Sequence, residues 1–436
     1  IRANNEGKDP YEVVASRDYN GHGTMVASVA AAKGYNKEVR GIVPDSYIAV
    51  VKLRPEGKDR LEVSGVTKEN VLAFSEVSII SAMVYFVNIT SREKKPIVIV
   101  IPLETNGGAH DGTSLICQVI DRYADVLGSV IVTGVGNEGN KETHKEGRIE
   151  KAKDTDVIEI RVGNNQNSLA FFIWVKKPSV MAIEISSPTG ERISKIPIKV
   201  GEERNIRFVF EKTLMSVKYI LSNEENGCQA ILIRAIGLKP GIWNFTLHGE
   251  FIVDGEYSSW LPQSKLLSEG TNFLESSQSI TLSDNATTRK GISVAYYDQN
   301  NNSIVGSSGR GFTWDNRIKP DIAAGGINAK ITKPGGVTGT ASGSSVSVAV
   351  LAGVCAMILE WAIVNGNNPN IYVDDILAYI IRGAKTRTGD EYPNEYWGYG
   401  MVNVDYIFEA IRGNYRALNG YKEYFVNNLF VRIPSS

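Results

Sequence analysis

The chain has 436 residues, 42% of them apolar and 22% charged, with a formal net charge of −1. That length exceeds one small core and points to two units, or to one large domain carrying an insertion. The near-neutral balance gives no global field for nucleic acid or an anionic membrane. The three distant cysteines Cys117, Cys228 and Cys355 make neither a disulfide framework nor a zinc pair, and read as small buried residues.

The first residues, IRANNEGKDPYEVV, are polar and lack the apolar stretch of a signal peptide. Residues 23–33 (GTMVASVAAAK) are small enough for a tightly packed helix. Tyr47 to Leu53 reads as a short buried strand, and Lys68 to Val87 has helical length and apolar spacing. Pro96 to Ile101 (PIVIVI) is a continuous β-branched run, expected for a strand covered on both faces. A helix over Asp111 to Leu127 and a buried strand over Ser129 to Thr133 follow. This alternation over residues 1–148 predicts a parallel sheet with helices on both faces, an α/β fold.

The texture changes over residues 149–265. Short alternating runs such as Val157–Val162, Val180–Ile185 and Ala230–Ile236 are separated by turn clusters such as Ser187-Pro188-Thr189-Gly190. This pattern predicts an inserted antiparallel β-sandwich of jelly-roll type. The α/β texture returns over 266–413, with a strand at Ile292–Tyr297 and a nearly all-apolar helix from Ser342 to about Ile363. Its most apolar part, Val346 to Leu359, is too short to span a bilayer and reads as a core helix. The tail, 414–436, is expected to hold one edge strand.

Three segments could carry chemistry. Asn20-Gly21-His22-Gly23-Thr24 sets a histidine at a helix start. Gly136-Asn137-Glu138-Gly139-Asn140 follows a buried strand, and an asparagine there can donate its amide to a developing oxyanion. Gly339-Thr340-Ala341-Ser342-Gly343-Ser344-Ser345 leads into the apolar helix, whose N-terminus stabilises negative charge. Each alone has an ordinary structural explanation: a satisfied histidine, a turn, a small-residue helix start. His110, His144 and His248 sit in less constrained contexts and are read as structural.

Taken together and in this order, the three segments resemble the subtilase family of serine peptidases. Gly41-Ile42-Val43-Pro44, Lys319-Pro320-Asp321-Ile322 and Tyr399-Gly400-Met401-Val402-Asn403 add to the likeness, which covers nearly all of 10–148 and 275–412. Thr105-Asn106-Gly107-Gly108-Ala109-His110-Asp111-Gly112, and the 204 residues between Asn137 and Ala341, resemble the clostridial spore-germination subtilases, the Csp proteases. The resemblance implies a subtilisin-like parallel sheet with an inserted jelly roll, and a place in the bacterial spore. It implies His22 as general base, Asn137 as oxyanion donor and Pro102, Leu103 and Glu104 as substrate-binding residues. The strand Ile101–Thr105 would pair with extended substrate.

On this alignment the nucleophile position is Ala341, whose methyl group cannot attack a carbonyl. Ser342 would point roughly 100° away on a helix. The triad aspartate is not found either: 21 residues precede His22, and Asp9 and Asp18 lie in polar text. It is expected on an N-terminal segment that carries the first core strand. The resulting expectation is an inactive pseudoprotease that regulates a partner, such as another Csp protein, or senses a germinant. The departures at Pro102-Leu103-Glu104 and Ala324-Gly325-Gly326 favour natural decay. The alternatives are an endopeptidase acting on a cortex-lytic zymogen, halted by a Ser-to-Ala change, and a binding module built on the sandwich, with Trp174, Trp243 and Trp260 as candidate platforms. No cofactor is expected. No D-x-D-x-D-G spacing supports a metal or calcium site, and no membrane span or nucleic-acid partner is expected.

Overall fold

In a computed structural model, residues 6–35, 37–419, 421–426 and 429–434 are described. The β-branched runs form strands β1 (Ile97–Ile101) and β2 (Ser129–Gly134), which pair in parallel. β2 pairs in parallel with a later strand, Ile292–Asp298, which in turn takes Ile322–Gly325 in parallel. β2 is buried along its whole length, as a central strand with both faces covered must be. Among the described residues, no strand pairs with the outer edge of β1.

Six helices frame this sheet or flank it: α1 (His22–Ala31), α2 (Glu76–Glu93), α3 (Leu115–Ala124), α4 (Ser344–Leu359), α5 (Val373–Arg382) and α6 (Val404–Asn419). The chain runs on helically from α4 to Val364, so the apolar helix is 21 residues long, enough by length and composition to cross a membrane. It instead packs across β1, β2 and the two later parallel strands. Val348, Leu351, Val354, Cys355 and Ile358 join the sheet's residues in one core.

Between the two halves lies a sandwich of two antiparallel sheets, of six and five strands. Its strands run from His144–Arg148 to Asn272–Phe273, so it takes a few residues on either side of the expected 149–265. Trp243 lies at its centre, fully buried, against Phe208. Trp174 and Trp260 are 5% and 4% exposed and pack with Ala109 and Trp314 where the sandwich meets the sheet domain, so none of the three tryptophans offers a sugar platform.

Several expected elements differ. The helix placed at Lys68–Val87 is Glu76–Glu93. The tail holds the end of α6 and two paired strands, Tyr421–Val426 and Leu429–Pro434, in place of one edge strand. Tyr47–Leu53, expected as a buried strand, has no ladder partner, with Tyr47 86% and Val50 69% exposed. The physical reason is the space beside it: a cleft of about 2760 Å³ separates this segment from the free edge of β1. A β-branched run cannot become a strand without a neighbour to bond.

Candidate active site

His22 is the first residue of α1. Gly21, with φ of 83°, turns the chain into the helix, and Asp18 organises that end. The Asp18 carboxylate accepts from the Gly21 N–H at 2.8 Å, the Thr24 N–H at 3.1 Å and the Thr24 hydroxyl at 2.7 Å, taking donors that a helix start leaves unpaired. Burial alone would raise the Asp18 pKa. The Thr24 hydroxyl and the backbone N–H groups outweigh it, and the net shift is downward.

Asn137 follows β2. The strand must end in glycine here, because a Cβ at Gly134 would lie 2.2 Å from Ser344 Oγ and 2.7 Å from Val348. That absence of side chain lets α4 approach. The Gly136 N–H donates to Ser344 Oγ at 3.1 Å, and the Ser344 N–H donates to Asn137 Oδ1 at 3.2 Å. The second contact turns the Asn137 amide nitrogen toward the cleft.

The start of α4 corrects the assignment of Ala341. That residue ends a short strand, Thr338–Ala341, paired with Ala329–Thr332, and its methyl packs with Val26, Val29 and Ile331. Gly343, with φ of 128°, then turns the chain, and the helix begins at Ser344. Ser342 is exposed, with its hydroxyl accepting from the Asn328 N–H at 2.9 Å. The side chain that faces the histidine is Ser345: its Oγ lies 2.9 Å from His22 Nε2 and 3.3 Å from the Pro102 carbonyl. Sequence reasoning matched Gly-Thr-Ala to the nucleophile motif, whereas the fold uses Gly343-Ser344-Ser345, four residues on. The usable signal was the glycine immediately before the helix, since a nucleophile gains from the helix terminus only within its first turn.

The site therefore brings together a hydroxyl, an imidazole and two N–H donors. The Ser345 N–H, in the first turn of α4, lacks an intrahelical acceptor, as does any amide there. With the Asn137 amide it forms a place for a developing oxyanion. Burial, then repulsion from Lys265, lowers the His22 pKa, while Asp18 opposes both. Burial and Lys265 thus favour the neutral imidazole. Among the described residues, no carboxylate lies within ion-pair distance of His22.

Pro102, Leu103 and Glu104 follow β1 and line the same cleft. Glu104 Oε2 accepts from the Asn137 N–H at 2.6 Å and lies 3.4 Å from its amide nitrogen. Burial, then Glu138, raises its pKa. Gln263, where the chain leaves the sandwich, donates to the Glu104 carbonyl at 2.5 Å. The other histidines lie elsewhere: His110 and His144 are fully buried, and His248 faces Glu184 at 3.5 Å. Cys117, Cys228 and Cys355 are buried free thiols, and burial pushes Cys355 up to about 12. Among the described residues, no group of three or more His, Cys, Asp or Glu side chains could hold a metal.

Comparisons with known proteins agree with this fold. The profile of the Subtilase family matches residues 1–187 and 266–400, with the break inside the sandwich. The structure of the Clostridium perfringens CspB protease is similar over 94% of this chain and 83% of that chain, with a TM-score of 0.84 and 30% identity. Serine protease AprX of Bacillus subtilis (strain 168) is 29% identical over 145 residues, covering 29% of this chain. The chain spans about a third, 31%, of that curated relative's length.

Proposed function

Because the chain belongs to the subtilase family and has a Csp-like subtilisin fold, we propose that it is a serine endopeptidase whose nucleophile is Ser345. One observation carries this reading: Ser345 Oγ lies 2.9 Å from His22 Nε2, with the Asn137 amide beside it. Ser345 Oγ attacks the peptide carbonyl carbon as His22 Nε2 takes its proton. The oxyanion rests on the Asn137 amide and the Ser345 N–H. His22 then gives the proton to the leaving amine, and water repeats the sequence on the acyl ester. The readings as a pseudoprotease regulator, and as an enzyme halted by substitution, both took position 341 for the nucleophile, where Ser345 is the hydroxyl that faces His22.

The histidine still needs an acceptor for its Nδ1 proton. We assign the cleft beside β1 to an extended segment that adds as a parallel strand, between β1 and Tyr47–Leu53. Among the described residues the edge is unpaired, its walls are largely apolar, and both flanks are rich in β-branched residues. The C-terminal end of such a strand would reach the His22 end of the cleft, where open parallel sheets place their chemistry. An aspartate there completes the triad.

The Csp-type resemblance supports a role in the bacterial spore during germination, with a protein precursor such as a cortex-lytic zymogen as substrate. The test is hydrolysis of an unfolded protein substrate by the intact chain, with and without a synthetic strand ending in aspartate. Hydrolysis that rises with the strand, and is absent in Ser345→Ala, supports the reading. A folded, strand-bound chain without hydrolysis overturns it.

A further inference from the structure

The Glu104 carboxylate occupies a place that a subtilase mechanism needs empty. Its Oε2 accepts from the Asn137 N–H at 2.6 Å and stands 3.4 Å from Asn137 Nδ2, the nitrogen that must bind the oxyanion. The side chain lies in the slot between two backbone strips, residues 102–105 and 134–137. A Cβ at Gly136 would come within 2.5 Å of that same oxygen. Ser345 lines the same cleft as Glu104, Gly136 and Asn137, so a carboxylate there faces the substrate whose carbonyl Ser345 attacks.

The neighbouring carboxylate, Glu138, is not available to a ligand. It is 2% exposed and accepts from the Ser264 N–H and hydroxyl, each at 2.9 Å, and from Thr143 at 3.1 Å. Glu104 has no such set. Lys265 is close enough to act on it electrostatically, yet is itself exposed and forms no ion pair with it. Among the described residues, no Lys, Arg or His side chain forms an ion pair with Glu104, which lies against the Asn137 amide.

The Asn137 side-chain amide carries two N–H donors, yet a carboxylate on one and an oxyanion on the other repel each other across it. A cationic substrate side chain in the slot removes the conflict: it pairs with Glu104, draws it from the Asn137 amide and leaves that donor to the reaction. A neutral side chain of the same shape does not. Resting on the peptidase reading, we propose that Glu104 is the specificity-determining residue of this site, selecting peptides with arginine or lysine at the residue that supplies the scissile carbonyl.

Binding without turnover tests this. Two fluorescent tetrapeptide amides, ending in arginine or in its neutral isostere citrulline, are titrated by anisotropy into the whole chain carrying Ser345→Ala. The arginine peptide is expected to bind about tenfold tighter, as for one close interfacial charge pair. In the Ser345→Ala, Glu104→Gln double variant the two peptides should bind within about twofold of each other. Equal affinity for the two peptides, including binding of neither, overturns the proposal, and so does a preference that survives Glu104→Gln. Fluorophosphonate capture of Ser345 in the unsubstituted chain, with the strand beside β1 supplied, reads the peptidase assignment separately. Capture without arginine preference removes only the role of Glu104, while arginine preference without capture removes the peptidase and leaves Glu104 a determinant of binding alone.

Discussion

The imidazole of His110 lies flat on the indole of Trp260, ring centres 4.1 Å apart and planes 9° from parallel. His144 covers the other face at 4.7 Å and 11°. This three-ring stack joins the 105–112 loop of the sheet domain to two strands of the sandwich, and it makes acid stability predictable. Burial, then repulsion by His144, holds His110 down to about 3; burial holds His144 down to about 4. Between about pH 4 and 6.5 the unfolded chain therefore binds two more protons at these histidines than the folded one. Asp284, whose backbone lies against the same loop, is raised by burial to about 7 and offsets one of them. For these three groups the net is one proton between about pH 4 and 6.5, so their contribution to stability should be greatest near pH 6.5 and fall by about 1.4 kcal/mol per pH unit below it. His144→Gln should flatten that slope. Urea midpoints measured from pH 7 to 4.5 check both statements.

Replacing Ser345 by alanine should remove about 10⁶-fold of turnover, the scale for loss of a serine nucleophile, and leave the fold intact. Ala341→Ser should leave hydrolysis standing, because position 341 belongs to a strand and its side chain to an apolar cluster. Parallel kinetics on the two variants decide which position is the nucleophile.

His22 sits between two opposed fields. Lys265→Gln removes the repulsion that lowers its pKa, so its titration should move to higher pH. Asp18→Ala removes the attraction that raises it, so the titration should move lower. The same change uncaps α1 and should cost about 1–2 kcal/mol of stability. NMR of the imidazole protons reads the shifts, and chemical unfolding reads the cap.

Gly134→Ala should separate folding from function. The added methyl meets Ser344 at the start of α4, with a cost of about 1–3 kcal/mol for an overpacked contact. Displacement of that helix start moves Ser345 away from His22, so hydrolysis should fall far more than the melting temperature does.

Much of this arrangement was legible in the chain itself. The β-branched runs at 96–101 and 129–133 and the apolar run after 343 carry enough pattern to place the sheet and its central helix. His22 and Asn137 stand at a helix start and a strand end, where glycines mark the turns. The hydroxyl that faces His22 was misplaced because residues 338–347 are almost all Gly, Ser, Thr and Ala, which have no periodicity to fix where a strand stops and a helix starts. Gly343, which turns the chain there by its positive φ, is one glycine among several. Tyr47–Leu53 shows the converse: its pattern is that of a strand, but the ladder depends on a partner that no local pattern reveals. Glu104 is visible in sequence as an unusual carboxylate, yet its contact with Asn137 is tertiary.

The identity of the reactive oxygen is the point on which the rest depends. The intact protein, with the strand beside β1 supplied, is treated with a fluorophosphonate, and the adduct is located by peptide mass spectrometry. The account predicts one adduct, on Ser345, lost on His22→Ala and unaffected by Ser342→Ala. An adduct on Ser342, or a folded protein left unlabelled, would contradict it.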